Sequence, residues 1–273
     1  MAKKESNKQV PSTDGRFLLN LGCGSRLHKD WNNIDSKPYN PSVLSFDLLK
    51  GIPYGNNIFD AVYCAHFLEH LDRQEVNYLL NECYRVMKPN GIIRIVVPDL
   101  EYNTKLYLEC LGKVLQDDND LNREHYEWAL LNLIDQIVRR RSGGEIMRFL
   151  GKEELLDEEF IVRTTGGVDV KFIRQQALSF KMDIQKGLRG FLRKTIIKFL
   201  PFMDWIFLTS GENHKWMYDR YSLIKLLEMR FCKVHLLAAD ESQINGFSLF
   251  NLDINSSGEI YKPNSLFVEA FKV

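Results

Sequence analysis

The sequence lacks an excess of either charge. Its 273 residues carry 36 Lys+Arg against 36 Asp+Glu, so the formal net charge is zero. A protein whose whole surface binds nucleic acid needs a surplus of cations. The balance therefore excludes a protein whose whole surface binds nucleic acid, although it is compatible with a local basic patch.

Cysteine is also scarce. The five cysteines are odd in number and form no CxxC pair, so neither a disulfide framework nor a four-thiolate zinc site is expected. A reducing compartment, the cytoplasm, fits best.

Long hydrophobic runs are missing as well. The most apolar late segment, Phe199–Leu208, contains Pro201 and Asp204 and is well short of the roughly twenty residues that cross a bilayer, so no transmembrane helix is expected. The first ten residues contain lysines with no apolar stretch behind them, unlike a signal peptide. We predict a disordered tail over residues 1–14.

From Arg16 onward, short runs of Val, Ile, Leu and Phe alternate with Gly, Asn, Asp and Pro. Such runs are typical of buried parallel strands. The predicted strands are Phe17–Leu21, Trp31–Ile34, Val43–Phe46, Phe59–Cys64, Ile92–Val97, Phe231–Leu237 and Leu266–Val273. Apolar residues at helical spacing predict a helix over Gln74–Met87, ended by a Pro–Asn–Gly turn in Lys88–Gly91.

Between Pro98 and the late strands, the chain is rich in charged residues and leucine. Helices are predicted over Tyr102–Leu115, Arg123–Arg141, Glu145–Arg163, Lys186–Leu200 and, after this stretch, Tyr221–Phe231. We predict an α/β core over residues 15–100 and 216–273, and a helical insertion over residues 101–215. The insertion is expected to cover one end of the sheet and receive a substrate, since α/β proteins bind ligands beyond the carboxyl ends of their strands.

A glycine loop follows the first strand. Gly22-Cys23-Gly24 would let the backbone turn sharply and approach a ligand, although a GxG alone is also typical of a plain turn. Asp35 and Asp47 end the second and third strands and should lie along the same edge of the sheet. An acid at the second strand end suits ribose hydroxyls, and one at the third suits an adenine amino group or neighbouring backbone amides.

Four segments form a recognisable series: residues 20–24, 31–35, 59–66 and 85–91. In this order they resemble motifs of class I S-adenosylmethionine-dependent methyltransferases, most closely the small-molecule group that includes enzymes of sugar and polysaccharide pathways. The resemblance implies a Rossmann-like sheet, mostly parallel with the last strand antiparallel, and S-adenosylmethionine as cofactor. The cofactor-binding positions that it implies are Asn20, Leu21, Gly22, Cys23, Gly24, Asp35, Asp47, Leu48, Ala65 and His66.

This sequence departs from the family pattern in one position and has an unusual spacing in another. Asn20 stands where the family usually has an acid, which weakens the anchoring of the cofactor's amino group. The spacing from Gly24 to Asp35 is shorter than the roughly twenty residues of a dinucleotide-binding fold, which argues against NAD.

The segment His66–His70 also matches the HxxEH pattern of zinc proteases, in which two histidines share a helix face. Its position at a strand end disfavours that interpretation, and a structural role for His66 stays open. A hydroxyl acceptor needs a base of near-neutral pKa, so His66 is the leading candidate base and His214 the second. Asp99, just past the fifth strand, is a candidate acceptor contact.

Residues 181–200 form a basic amphipathic pattern. Between Lys181 and Lys198 there are six Lys or Arg and one acid, Asp183, with apolar residues on the opposite helical face. Such a helix can lie on an anionic membrane surface, in which case the acceptor could be lipid-linked. The alternative, which such charge patterns more often indicate, is a helix that packs on its neighbours with a solvated basic rim.

Together these features predict a cytoplasmic methyltransferase, placed at the inner membrane surface if the basic helix binds there. The predicted reaction is in-line methyl transfer to a hydroxyl of a sugar, glycan or related metabolite, as in polysaccharide biosynthesis. Two alternatives remain: a catalytically silent scaffold protein that keeps the fold, and a metallohydrolase that uses HxxEH.

Overall fold

The computed structural model describes residues 9–38, 40–167, 170–171, 173–178 and 213–273. The chain divides into two compact units. The sheet unit comprises Met1–Asp99, Trp216–Ile260 and Ser265–Val273, and the helical unit comprises Leu100–Lys215 and Tyr261–Asn264.

The sheet unit contains seven strands in the order β3-β2-β1-β4-β5-β7-β6. The strands are β1 (Leu18–Leu21), β2 (Asn32–Asp35), β3 (Leu44–Ser45), β4 (Phe59–Ala65), β5 (Met87–Pro98), β6 (Cys232–Leu237) and β7 (Ser265–Phe271). Strands β1 to β5 pair in parallel, and β7 pairs antiparallel with both β5 and β6. This arrangement confirms the predicted Rossmann-like class I methyltransferase sheet.

Helix α1 (Arg73–Val86) joins β4 to β5. Asp72 accepts hydrogen bonds from the first turn and Glu75 returns one, a capping box that fixes where the helix begins. Its apolar residues at helical spacing are buried, as predicted.

The Pro–Asn–Gly turn predicted after α1 is wrong. Residues 88–91 lie within β5, where the register with β4 shifts. Asn90 has a left-handed φ of 61° and its N–H donates to the carbonyl of Lys272, so pairing with the chain end holds this segment in the sheet.

Alternate residues of the strands pack on opposite faces of the sheet. Leu19 and Leu21 join a cluster with α1 and with α6 (Arg220–Glu228), whereas Leu18 joins a cluster with aromatic residues of the segment 238–254. One face is thus covered by helices and the other by an irregular segment.

The described part of the helical unit contains α2 (Leu100–Gln116), α3 (Asp120–Val138), α4 (Gly144–Leu150) and α5 (Glu158–Thr165). The single helix predicted over Glu145–Arg163 is wrong, because the chain leaves α4 at Gly151 and Asp157 caps a separate α5. The predicted helix over Lys186–Leu200, and with it the basic segment 181–200, lies outside the described residues. None of the helices that the structure describes is long and apolar enough to cross a membrane.

Candidate functional site

The glycine loop follows β1 at the carboxyl edge of the parallel strands. Gly22 and Gly24 have left-handed φ values of 61° and 50°, a conformation that costs glycine little. A Cβ on Gly22 would lie 2.7 Å from Cδ2 of Phe67, whereas a Cβ on Gly24 would meet nothing within 4 Å. Gly22 therefore lets the loop pack closely on the residue that follows His66.

Asp35 ends β2 and holds this loop. Its Oδ2 accepts the N–H of Gly24 at 2.9 Å, and its Oδ1 accepts the N–H of Lys37 at 2.8 Å. Each carboxylate oxygen retains a further lone pair, so Asp35 can still accept hydrogen bonds from ribose hydroxyls.

Asp47 follows β3 and accepts the N–H of Leu49 at 3.0 Å, which caps the short helix Leu48–Lys50. This is the backbone-amide role that the sequence had left open beside adenine binding. The side chains of Leu21 and Leu48 are buried in the core, which leaves only their backbones to meet a cofactor.

Asn20 is buried beneath the loop. Its amide nitrogen donates to the carbonyl of Arg26 at 2.8 Å and to Oδ1 of Asn33 at 3.0 Å. The buried side chain therefore stabilises the backbone that follows the glycine loop. Its Oδ1 has no hydrogen-bond partner among the described residues. Buried carbonyl oxygens normally accept a hydrogen bond, so this oxygen is suited to a ligand that carries a donor.

Cys23 lies at the centre of the loop with its side chain buried. Burial, and then the charge of Asp35, raise the pKa of the Cys23 thiol to about 12. The thiol is therefore neutral near pH 7 and is no nucleophile.

His66 follows Ala65, the last residue of β4, and has a left-handed φ of 51°. Its Nδ1 lies 3.1 Å from Oε1 of Glu69, and its Nε2 lies 3.1 Å from Oγ of Ser265. Glu69 is fully buried, whereas the His66 side chain is 22% exposed. A carboxylate on Nδ1 favours the tautomer that keeps the proton there and leaves Nε2 as an acceptor.

The HxxEH residues do not share an α-helix. A short helix covers only Leu68–His70, and His66 precedes it in a left-handed conformation. The geometry in which two histidines at i and i+4 lie on one helix face is therefore not formed.

Asp99 directly follows β5 and pairs by a backbone bridge with Tyr218. Burial raises the pKa of Tyr218 to about 12. In the sheet, Pro98 lies opposite Ser265 and Ala65 opposite Val96, so His66, Asp99 and Ser265 share one edge with the glycine loop.

His214 belongs to the helical unit, where its backbone N–H donates to the carbonyl of Gln136 at 3.0 Å. Its role as a second candidate base stays a prediction.

Sequence reasoning missed Glu69 as the partner of His66, and it missed Ser265 altogether. Glu69 lies inside the HxxEH segment, where the zinc-protease pattern offers no reason to pair it with His66. Ser265 is 199 residues from His66 and carries no local motif, so only the pairing of β7 with β5 reveals it.

Residues 24–95 match a family model described as a methyltransferase domain. No curated protein matches the chain. Among solved structures, the chain is similar to an S-adenosylmethionine-dependent methyltransferase from Archaeoglobus fulgidus, with 15% identity, a TM-score of 0.38, and coverage of 94% of this chain and 86% of that one.

Two further solved structures are similar over most of both chains. An S-adenosylmethionine-dependent methyltransferase from Mesorhizobium loti has 15% identity and a TM-score of 0.35, with coverage of 96% of this chain and 94% of that one. A putative methyltransferase of the same cofactor class from Listeria monocytogenes has 12% identity and a TM-score of 0.37, with coverage of 97% and 93%.

Proposed function

We propose that this chain, a methyltransferase that uses S-adenosylmethionine, transfers the methyl group to a hydroxyl of a sugar, glycan or related small metabolite. The observation that carries the proposal is the placement of His66 between a buried carboxylate and a hydroxyl at the edge where the glycine loop lies. The methyltransferase domain match over residues 24–95 supports the reaction class. In this proposal, the insertion over residues 101–215 contributes the acceptor pocket.

The loop residues fit the cofactor. The unpartnered Oδ1 of Asn20 suits a cofactor amino group, which supplies hydrogen-bond donors. Asp35 has lone pairs to spare for ribose hydroxyls, and Gly24 leaves open space where a side chain would stand. When bound, S-adenosylmethionine supplies an electrophilic methyl group that an oxygen nucleophile can take by in-line displacement.

His66 serves as the base in this proposal. Glu69 accepts a hydrogen bond from Nδ1–H, so the lone pair lies on Nε2, which takes the proton of an acceptor hydroxyl. Buried Glu69 then stabilises the resulting imidazolium. The hydroxyl of Ser265 stands 3.1 Å from Nε2 and marks where a hydroxyl can approach that nitrogen.

We also propose that the protein works in the cytoplasm, and at the inner membrane surface if residues 181–200 bind anionic lipid. All five cysteines are free, and four of them are buried. Free thiols are what a reducing compartment maintains.

The release of S-adenosylhomocysteine tests the reaction. The purified protein is incubated with S-adenosylmethionine and, in turn, neutral hexoses, uronic acids and nucleotide sugars, and products are examined for a new O-methyl group by mass spectrometry. We expect release above the acceptor-free rate with at least one sugar, and a rate lower by about 10²-fold or more in His66→Asn.

The matched control is His235→Asn, because His235 is an exposed histidine on β6. It should leave the rate unchanged. The proposal is wrong if none of these sugars is methylated although S-adenosylhomocysteine binds, or if His66→Asn is as active as the wild type.

A further inference from the structure

The helical unit contains a cavity of its own. It lies among α2, α3 and α5 and has a volume of about 450 Å³. Small-molecule pockets typically have volumes of about 300–1,000 Å³. All of its lining residues belong to the helical unit.

The floor of the cavity is aromatic and fixed in place. The rings of His125 and Phe160 stack with their centroids 3.9 Å apart, and Nε2 of His125 is held by Oδ2 of Asp157 at 3.0 Å. Thr164, also at the floor, accepts the indole N–H of buried Trp128 at 3.0 Å and donates to the carbonyl of Phe160 at 2.8 Å. Because these side chains are already held in place, the floor requires little reorganisation to receive a ligand.

The rim carries Lys105, Lys113 and Arg163 against a single acid, Glu109. The two lysines are engaged along α2, with Lys105 at 2.6 Å from Glu101 and Lys113 at 2.5 Å from Glu109. Each lysine therefore has an acidic partner on its own helix.

Arg163 is different. Within the ranges that the structure describes, it has no carboxylate within 4.0 Å, and its guanidinium carbon lies 5.8 Å from the centroid of the Phe160 ring. Its charge acts on the cavity, since burial raises the pKa of Tyr102 while Arg163 opposes that rise. A guanidinium without an ion-pair partner beside an aromatic floor is suited to hold an anionic group next to a ring.

We infer that this cavity binds a ring-shaped small molecule that carries a phosphate or a carboxylate, such as a sugar phosphate or a uronic acid. The anionic group meets Arg163, and the ring packs against the stacked pair of Phe160 and His125. The inference goes beyond the proposed function, because occupation of this cavity needs neither S-adenosylmethionine nor methyl transfer.

Calorimetric titration of the whole protein tests the inference with four probes: glucose 1-phosphate, glucuronate, glucose and inorganic phosphate. We expect the two anionic sugars to bind more tightly than either glucose or phosphate, since only they satisfy both the arginine and the floor. Arg163→Gln should weaken the binding of both by about tenfold or more, the usual effect of losing a hydrogen bond to a charged group.

The matched control is Arg123→Gln. Arg123 lies on α3 in the same unit, is exposed, pairs with Asp118 at 2.7 Å and does not line the cavity. The Arg123→Gln protein should bind the anionic sugars with the same affinity as the wild type.

Three outcomes would overturn the inference: no binding of either anionic sugar at about 10 mM, well above an ordinary weak Kd of about 1 mM, equal weakening by the two substitutions, or binding of glucose as tight as that of glucose 1-phosphate. If S-adenosylhomocysteine still binds in those cases, the proposed function stands and only the cavity assignment fails.

Discussion

At the scale of single residues, two glycines in one loop are required for different reasons. Gly24 is required for its left-handed backbone alone, since a Cβ there would meet nothing within 4 Å. Gly22 is required for two reasons: its backbone is left-handed, and a Cβ at this position would collide with the ring of Phe67. The glycine loop and the end of β4 are therefore coupled through Gly22 and Phe67.

Glu69 is expected to act through His66. In Glu69→Gln, the side chain keeps its shape but loses the charge that fixes the imidazole tautomer and stabilises its protonated form. We predict that methyl transfer falls by about 10²-fold or more while S-adenosylhomocysteine binding stays within about twofold of the wild type. Rates from release of S-adenosylhomocysteine, compared with calorimetric affinities, check this separation.

The control for this variant is Glu75→Gln, which alters the capping box of α1 and leaves His66 untouched. A role for Glu69 in packing alone would lower thermal stability in Glu69→Gln while leaving the rate per folded molecule unchanged. That result would contradict the positioning role.

Residues at strand ends could be predicted because a parallel sheet gathers the carboxyl ends of its strands at one edge. The positions of Asp35, His66 and Asp99 at the ends of strands could be predicted in this way. Ser265 could not be found, because it begins an antiparallel strand far away in sequence, and a lone serine carries no signal.

At the scale of elements, a buried ionic network joins the sheet to the segment 238–254. Arg94 on β5 is fully buried, and its guanidinium contacts Asp253 at 2.7 Å and Glu269 on β7 at 2.8 Å. Tyr63 on β4 donates its hydroxyl to Asp253 at 2.5 Å. The network therefore links β4, β5 and β7 to the segment 238–254, which covers this face of the sheet.

Removing the cation should destabilise the protein strongly. Arg94→Gln leaves two buried carboxylates without their partner, a loss that typically costs about 3–5 kcal/mol of unfolding free energy. Urea unfolding measures it. Arg141→Gln, which breaks an exposed pair with Glu145, should cost less than about 1 kcal/mol.

The unfolding free energy lost in Arg94→Gln should also depend on pH. Burial raises the pKa of Asp253 while Arg94 opposes the rise, so without Arg94 that pKa rises further. A group with a raised folded-state pKa contributes stability that is present below its unfolded value and lost as the pH rises through the folded value. Arg94→Gln should therefore be less destabilised at pH 5 than at pH 8.

If Arg94→Gln does not fold, Tyr63→Phe is the milder test. It removes one hydrogen bond from Asp253 and should cost about 1 kcal/mol. Unfolding free energies equal to the wild type in both variants would contradict an anchoring role for the network.

Helix boundaries in the helical unit were harder to predict than strands. The charged and leucine-rich pattern of residues 145–163 reads as one helix, yet Gly151 and the cap at Asp157 divide it. The apolar residues keep a helical spacing across the break, so periodicity alone predicts one helix. The capping residue Asp157 is the sequence signal that marks the start of a second helix.

At the scale of the whole molecule, the zero net charge hides local differences. The cavity rim in the helical unit carries three cations and one acid, whereas the core of the sheet unit buries one arginine with two carboxylates. The fold class could be predicted because alternating apolar runs and the glycine loop are local patterns. The cavity could not, because it depends on three helices meeting.

The central claim is that the glycine loop forms a site for S-adenosylmethionine, and calorimetric titration with S-adenosylhomocysteine tests it most directly. We predict saturable binding at one site per chain for the wild type and for Gly112→Ala, a helical glycine of α2 with open space around its Cβ position. Gly22→Ala, with thermal unfolding as the check that it folds, should bind at least about tenfold more weakly. No binding by the wild type, or equal binding by folded Gly22→Ala, would contradict the account.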